Sequence, residues 1–133
     1  MEGAYYSITF HLLSGVLTND EIVIVRDHLV SGHFKFYSLV AAQVMPNHVL
    51  LILQPTVGYG LVRIMKGIKG VTAKLINQGR EDTGSLWLEE YYDRIIRSPK
   101  ELDKQLKYIY ENPLRAGLTE DPSDYPGWWQ NNE

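Results

Sequence analysis

The chain has 133 residues, 44% of them hydrophobic and 22% charged, with 11 Gly, 6 Pro and no Cys. That length suits one domain, and the apolar share excludes a wholly disordered chain. The lack of Cys excludes a disulfide framework or a zinc–thiolate site, and the formal charge of −3 counts against a nucleic-acid binder, though only weakly because phosphates respond to local basic patches.

Residues 4–12, AYYSITFHL, are rich in aromatic and β-branched side chains and read as a strand. Thr18 followed three places later by Glu21 is a capping box, and Ile22, Val25 and Leu29 share one face of the helix it starts, which Ser31-Gly32 ends. The stretch HFKFYSLVAAQV, with Phe34, Phe36 and Leu39, reads as a second strand. Met45-Pro46-Asn47 is turn chemistry, and the nearly unbroken apolar run from His48 to Leu53 reads as a central strand buried on both faces.

Leu61, Ile64, Ile68, Val71 and Leu75 recur at spacings of three and four, predicting a helix over 61–78. Gly67 and Gly70 within it either admit another backbone closely or weaken the helix. Residues 79–85 are a polar loop, and Leu86 to Ile96 form an extended aromatic segment. Ser98-Pro99-Lys100-Glu101 starts a last helix, which Asn112-Pro113 stops. This order predicts an α+β fold: a ferredoxin-like antiparallel sheet of about four strands backed by helices. We expect a single domain over 1–133, with a core at about 4–118 and a surface tail at 119–133 anchored by Trp128 and Trp129.

No apolar run approaches the roughly 18–20 residues of a membrane helix, and Met1-Glu2-Gly3-Ala4-Tyr5-Tyr6 lacks the pattern of a signal peptide. A cytoplasmic protein without membrane contact is the expectation.

The four His, at 11, 28, 33 and 48, show no local metal-ligand spacing. His28 and His33 read as structural or solvent-facing; His48, between a tight turn and a buried strand, reads as a core histidine or a functional one. On the last helix Leu102, Leu106 and Ile109 share a face, while Tyr108 falls off it beside Lys104 and Asn112. Tyr108 is therefore either a plain surface tyrosine or an exposed nucleophile with an oxygen ligand beside it. Most cationic residues lie between 63 and 107, interleaved with acids. They form either a solvated face or a groove that tracks phosphates, with Trp87, Tyr91 and Tyr92 for base stacking.

Val44-Met45-Pro46-Asn47-His48-Val49 before an apolar strand resembles the VMPNHVH signature of the single-tyrosine HUH transposases, in particular the REP-associated tyrosine transposases. Further matches follow in family order: Thr9-Phe10, the stretch from Met65 to Gly70, Leu86-Trp87, the stretch from Tyr91 to Arg97, and the stretch from Tyr108 to Leu118, which is similar to YIxxNPVKxGL. The resemblance spans roughly residues 4–128. It implies that Tyr108 attacks a phosphodiester of single-stranded DNA, leaving a 5′-phosphotyrosine link and a free 3′-OH. It also implies a Mg²⁺ or Mn²⁺ ion on His48 and Asn112, hairpin or single-stranded DNA as partner, and a homodimer in some members. Arg63, Lys66, Lys69, Arg94, Arg97 and Lys104 are the expected DNA contacts.

The second histidine of the HUH strand is Leu50 here. Alternate residues of a strand share a face, so Leu50 stands where a ligand belongs and cannot coordinate. His11 is the candidate substitute if its strand neighbours the one from 48 to 53. The alternative expectation is an inactive, domesticated protein that binds single-stranded or hairpin DNA.

Overall fold

The structure, a computed structural model, describes residues 3–132; Met1 and Glu2 of the N-terminal reading and Glu133 of the tail lie outside the described residues. In chain order the elements are β1 (Tyr5–Leu12), α1 (Asn19–Ser31), β2 (Tyr37–Val44), β3 (His48–Pro55), α2 (Leu61–Arg80), β4 (Trp87–Ile96), α3 (Pro99–Tyr110), α4 (Asn112–Arg115), a 3-10 turn at Pro122–Asp124 and β5 (Trp128–Gln130). The strands form one antiparallel sheet in the order β4-β1-β3-β2-β5. The expected fold class is correct; the expected strand count is one short, because the tail supplies β5.

Helix α1 begins as its sequence requires. Thr18 Oγ1 accepts the Glu21 N–H at 3.2 Å, and Glu21 Oε1 accepts the Thr18 N–H at 2.9 Å. The same carboxylate is held by the Arg80 guanidinium at 2.6 and 2.8 Å, which ties the start of α1 to the end of α2. That guanidinium, more than any other group, holds the Glu21 carboxyl below its ordinary value.

Ile8, Phe10 and Leu12 of β1 and Val49, Leu51 and Leu53 of β3 alternate onto one face of the sheet, in one core with Ile22, Val25 and Leu29 of α1 and Ile64, Met65 and Ile68 of α2. The opposite face carries Ser7, Thr9, His11, His48 and Leu50 and is covered in part by α3, where Ser7 Oγ meets Gln105 Oε1 at 3.4 Å. Strand β3 is therefore apolar along both faces, since both are covered. No helix among the described residues is long and apolar enough to cross a membrane.

Two local expectations are corrected and one alternative is narrowed. Phe34 and Phe36 precede β2 rather than lie in it; they are exposed, and Phe34 adopts a φ of 70° in the turn that follows α1. The buried stripe of α2 runs through Ile64, Met65, Ile68, Thr72 and Ile76, leaving Val71 and Leu75 largely exposed. A polar residue joins that stripe because Thr72 Oγ1 accepts the Trp87 indole N–H at 2.9 Å and donates to the Ile68 carbonyl at 2.7 Å. Finally, Gly67 and Gly70 admit no close backbone, for a Cβ at either would meet no atom within 4 Å.

The tail is fixed by a close approach. A Cβ at Gly127 would lie 2.1 Å from the Val44 carbonyl oxygen, so only glycine lets the Gly127 carbonyl accept the Val44 N–H at 3.0 Å. Strand β5 then pairs with Ala41, Ala42 and Gln43, and the two expected anchors pack on Tyr110 (Trp128, 5.0 Å) and His33 (Trp129, 5.5 Å).

Candidate active site

Strand β1 does neighbour β3, and the register sets His11 directly opposite His48. Their rings lie 5.3 Å apart and 19° from parallel, with the Tyr92 ring edge-on to His11 at 6.4 Å. Asn47 fixes the tautomer of His48. Its Oδ1 has only lone pairs to offer, so His48 Nδ1, 2.7 Å away, carries the proton and Nε2 keeps a free lone pair. Burial, and secondarily the charge of His11, lower the His48 pKa and favour the neutral imidazole that binds metals.

Leu50 lies one rung along on the same face, nearly buried between Thr9 of β1 and Gln43 of β2. Gln43 is fully buried: its amide N–H donates to the Ile109 carbonyl at 3.3 Å, while its Oε1 has no hydrogen-bond partner among the described residues. An orphaned buried acceptor costs roughly 1–3 kcal/mol. The paired imidazoles of His11 and His48 are donors whose chemistry suits a divalent ion. Among the described residues no group of three or more His, Asp or Glu is placed to hold a metal.

Tyr108 occupies the last turn of α3 and is 52% exposed. Helix α3 ends two residues later because Pro113 has no N–H to offer the Ile109 carbonyl. Gln43 takes that carbonyl instead, and Arg115 of α4 reaches back to donate to the carbonyl of Tyr108. The Arg115 guanidinium lies over the Tyr108 ring, 4.4 Å from its centre, and 3.6 Å from the Glu111 carboxylate. Asn112 opens α4, four positions beyond Tyr108 and separated from the end of α3 only by the helical residue Glu111.

The basic residues fall into separate groups. Arg63 and Lys66 line a cavity of about 410 Å³ between α1 and α2, on the side of the sheet away from α3. The Lys69 ammonium donates to the Leu88 and Glu89 carbonyls at 2.6 and 2.7 Å and so clamps α2 to β4. Arg94 pairs with Glu101 at 3.0 Å, the Arg97 N–H donates to the same carboxylate, and Lys104 is exposed on α3. Sequence spacing gave no sign of Gln43. Arg115 was foreshadowed by the Asn-Pro step, which frees carbonyls that a nearby cation can take.

The chain matches the family model "Transposase IS200 like" over residues 19–112, and it belongs to that family. It is 28% identical over 104 residues to a Haemophilus influenzae protein assigned to the REP-associated tyrosine transposases; the match takes in 71% of this chain and spans 58% of that protein's length. Its fold is similar to that of a REP-associated tyrosine transposase solved bound to a REP hairpin, with a TM-score of 0.76 at 20% identity over 96% of this chain and 77% of the other. A Deinococcus radiodurans R1 protein assigned as a transposase matches with a TM-score of 0.54 at 22% identity over 81% of this chain and 88% of the other.

Proposed function

We propose that the protein binds single-stranded or hairpin DNA and cleaves and rejoins it through Tyr108. The observation that carries this reading is the half-exposed phenol of Tyr108 on the helix over the histidine-bearing face, in a member of the IS200-like family. The Tyr108 oxygen attacks phosphorus, the bond from phosphorus to the 3′ oxygen breaks, and the phenolic proton ends on that oxygen. The products are a 5′-phosphotyrosine and a free 3′-OH. Rejoining reverses the exchange with another 3′-OH, so no external energy source is needed.

His48 and His11, completed by Asn112 and water, would hold Mg²⁺ or Mn²⁺; when bound, the ion polarises a phosphate oxygen and offsets charge. Asn47 keeps His48 in the coordinating tautomer. Lys104 on α3 and Arg97 just before it supply phosphate contacts near Tyr108; Arg63 and Lys66, on the opposite side of the sheet, would take phosphates only from DNA that reaches that side, and Lys69 and Arg94 reach DNA only by leaving their present partners. A cytoplasmic location and a homodimer belong to the same reading.

Leu50 favours a second reading, a DNA-binding protein that has lost cleavage. Covalent capture on hairpin oligonucleotides with single-stranded flanks, in Mn²⁺ and read on a denaturing gel, separates the two. An adduct in wild type that Tyr108→Phe abolishes establishes cleavage. An adduct only in Leu50→His establishes binding alone as the natural function. An adduct undiminished in Tyr108→Phe sinks both assignments of this tyrosine.

A further inference from the structure

Arg115 makes two contacts on one residue, the Tyr108 carbonyl and the face of the Tyr108 ring, and a third on the Glu111 carboxylate. The chain is shaped to bring it there. Buried Pro113 ends α3, the single turn of α4 follows after one helical residue, and Gly117 closes that turn with a φ of +74°. A planar guanidinium suits this task, since it stacks on an aromatic face while its edge donates, which a lysine ammonium does not do.

An exposed tyrosine at the end of a helix samples several side-chain rotamers, and only one of them presents its oxygen productively. From this geometry we infer that Arg115 is a positioning residue: it clamps the last turn of α3 and fixes the Tyr108 ring in one orientation. Glu111 in turn steadies the guanidinium. The proposal rests on the reading of Tyr108 as the nucleophile. It predicts that Arg115 governs the rate of the covalent step rather than affinity for DNA.

The test follows adduct formation at saturating hairpin oligonucleotide, with affinity read separately by fluorescence anisotropy, in Arg115→Ala, Arg115→Lys and Tyr108→Phe. All are made in the wild type, and in Leu50→His if only that background forms adduct. Arg115→Ala should slow the covalent step about ten- to a hundredfold, the scale of a misplaced reacting group, with affinity within about twofold. Arg115→Lys should recover only part of the rate, and added methylguanidinium should restore part of the Arg115→Ala activity.

A second readout needs no activity. The Arg115 Nε–H proton should be shifted upfield by the ring current in wild type and in Tyr108→Phe, and should lose that shift in Tyr108→Leu. A wild-type rate in Arg115→Ala, or an Arg115 resonance indifferent to Tyr108→Leu, overturns the positioning role while leaving the nucleophile intact. An adduct that survives Tyr108→Phe, or none in any background, overturns the nucleophile reading and the positioning role with it, even where the resonance shows the stack.

Discussion

His11 and His48 face each other across adjacent strands, their rings 5.3 Å apart and nearly parallel, although 37 positions separate them in the chain. The pairing of β1 with β3 meets the condition set for His11 as a substitute ligand, bringing it beside the histidine of the Met-Pro-Asn-His turn. Asn47 then leaves His48 Nε2 as the available lone pair.

If these imidazoles hold a divalent ion, Mn²⁺ should raise the melting temperature of the wild type, since a ligand of the folded state alone stabilises it. His48→Ala and His11→Ala should each abolish the rise. Asn47→Ala should weaken the ion's affinity about 10–100-fold, as the loss of an orienting partner does. A rise unchanged in His11→Ala would remove that residue from the site.

The half-buried His28 of α1 has its pKa lowered by burial, so the unfolded chain takes up its proton more readily than the folded one. The stability it contributes is present above the unfolded value near 6.5 and is lost as pH falls from there through the lower folded value. Denaturant unfolding between pH 7.5 and 5 should therefore show declining stability. His28→Gln should flatten part of the decline, and an unchanged slope would exclude His28 as a contributor.

Thr72→Val keeps the size of a side chain buried between α2 and β4 but leaves the Trp87 indole N–H without its acceptor. The cost should be about 1–3 kcal/mol, read from urea midpoints at constant m. Replacing Trp87 by Phe in the same background should add less than it does alone, because the hydrogen bond is already lost and Phe removes the orphaned donor.

Gly127→Ala would drive a methyl group into the Val44 carbonyl. Destabilisation of about 1–3 kcal/mol is expected, together with a change in the fluorescence of Trp128 and Trp129 as β5 moves off β2. Gly67→Ala, in open space on α2, serves as the control and should stabilise by about 0.5–1 kcal/mol.

The sequence spoke most clearly where the signal is local. The Thr18–Glu21 box, the Ser98 cap and the breaks at Gly32 and Asn112-Pro113 all rest on contacts within a few residues. The apolar run of β3 was equally plain, because a strand covered on both faces has no need to alternate. What was hidden depends on distant partners. Thr72 enters a buried stripe only because Trp87 offers it a proton, and Trp128–Gln130 is a strand only because Gly127 lets the chain reach Val44. For the candidate site, motif resemblance marked out Tyr108, His48 and Asn112. The Arg115 clamp and the burial of Gln43 became visible only once α3 had been laid over the sheet.

Strand β5 also bears on how the polypeptide tolerates shortening. It lies beyond residues 19–112, the portion shared with the family model, and yet it covers the Ala41–Gln43 edge of β2. A chain trimmed after Leu118 would keep every proposed catalytic group and lose the cover on that edge, exposing unpaired N–H and C=O groups of an apolar strand to other copies. Proteolytic clipping at the Pro- and Asp-rich turn around residue 122 should thus show itself first as aggregation, before any loss of chemistry in the molecules that stay dispersed.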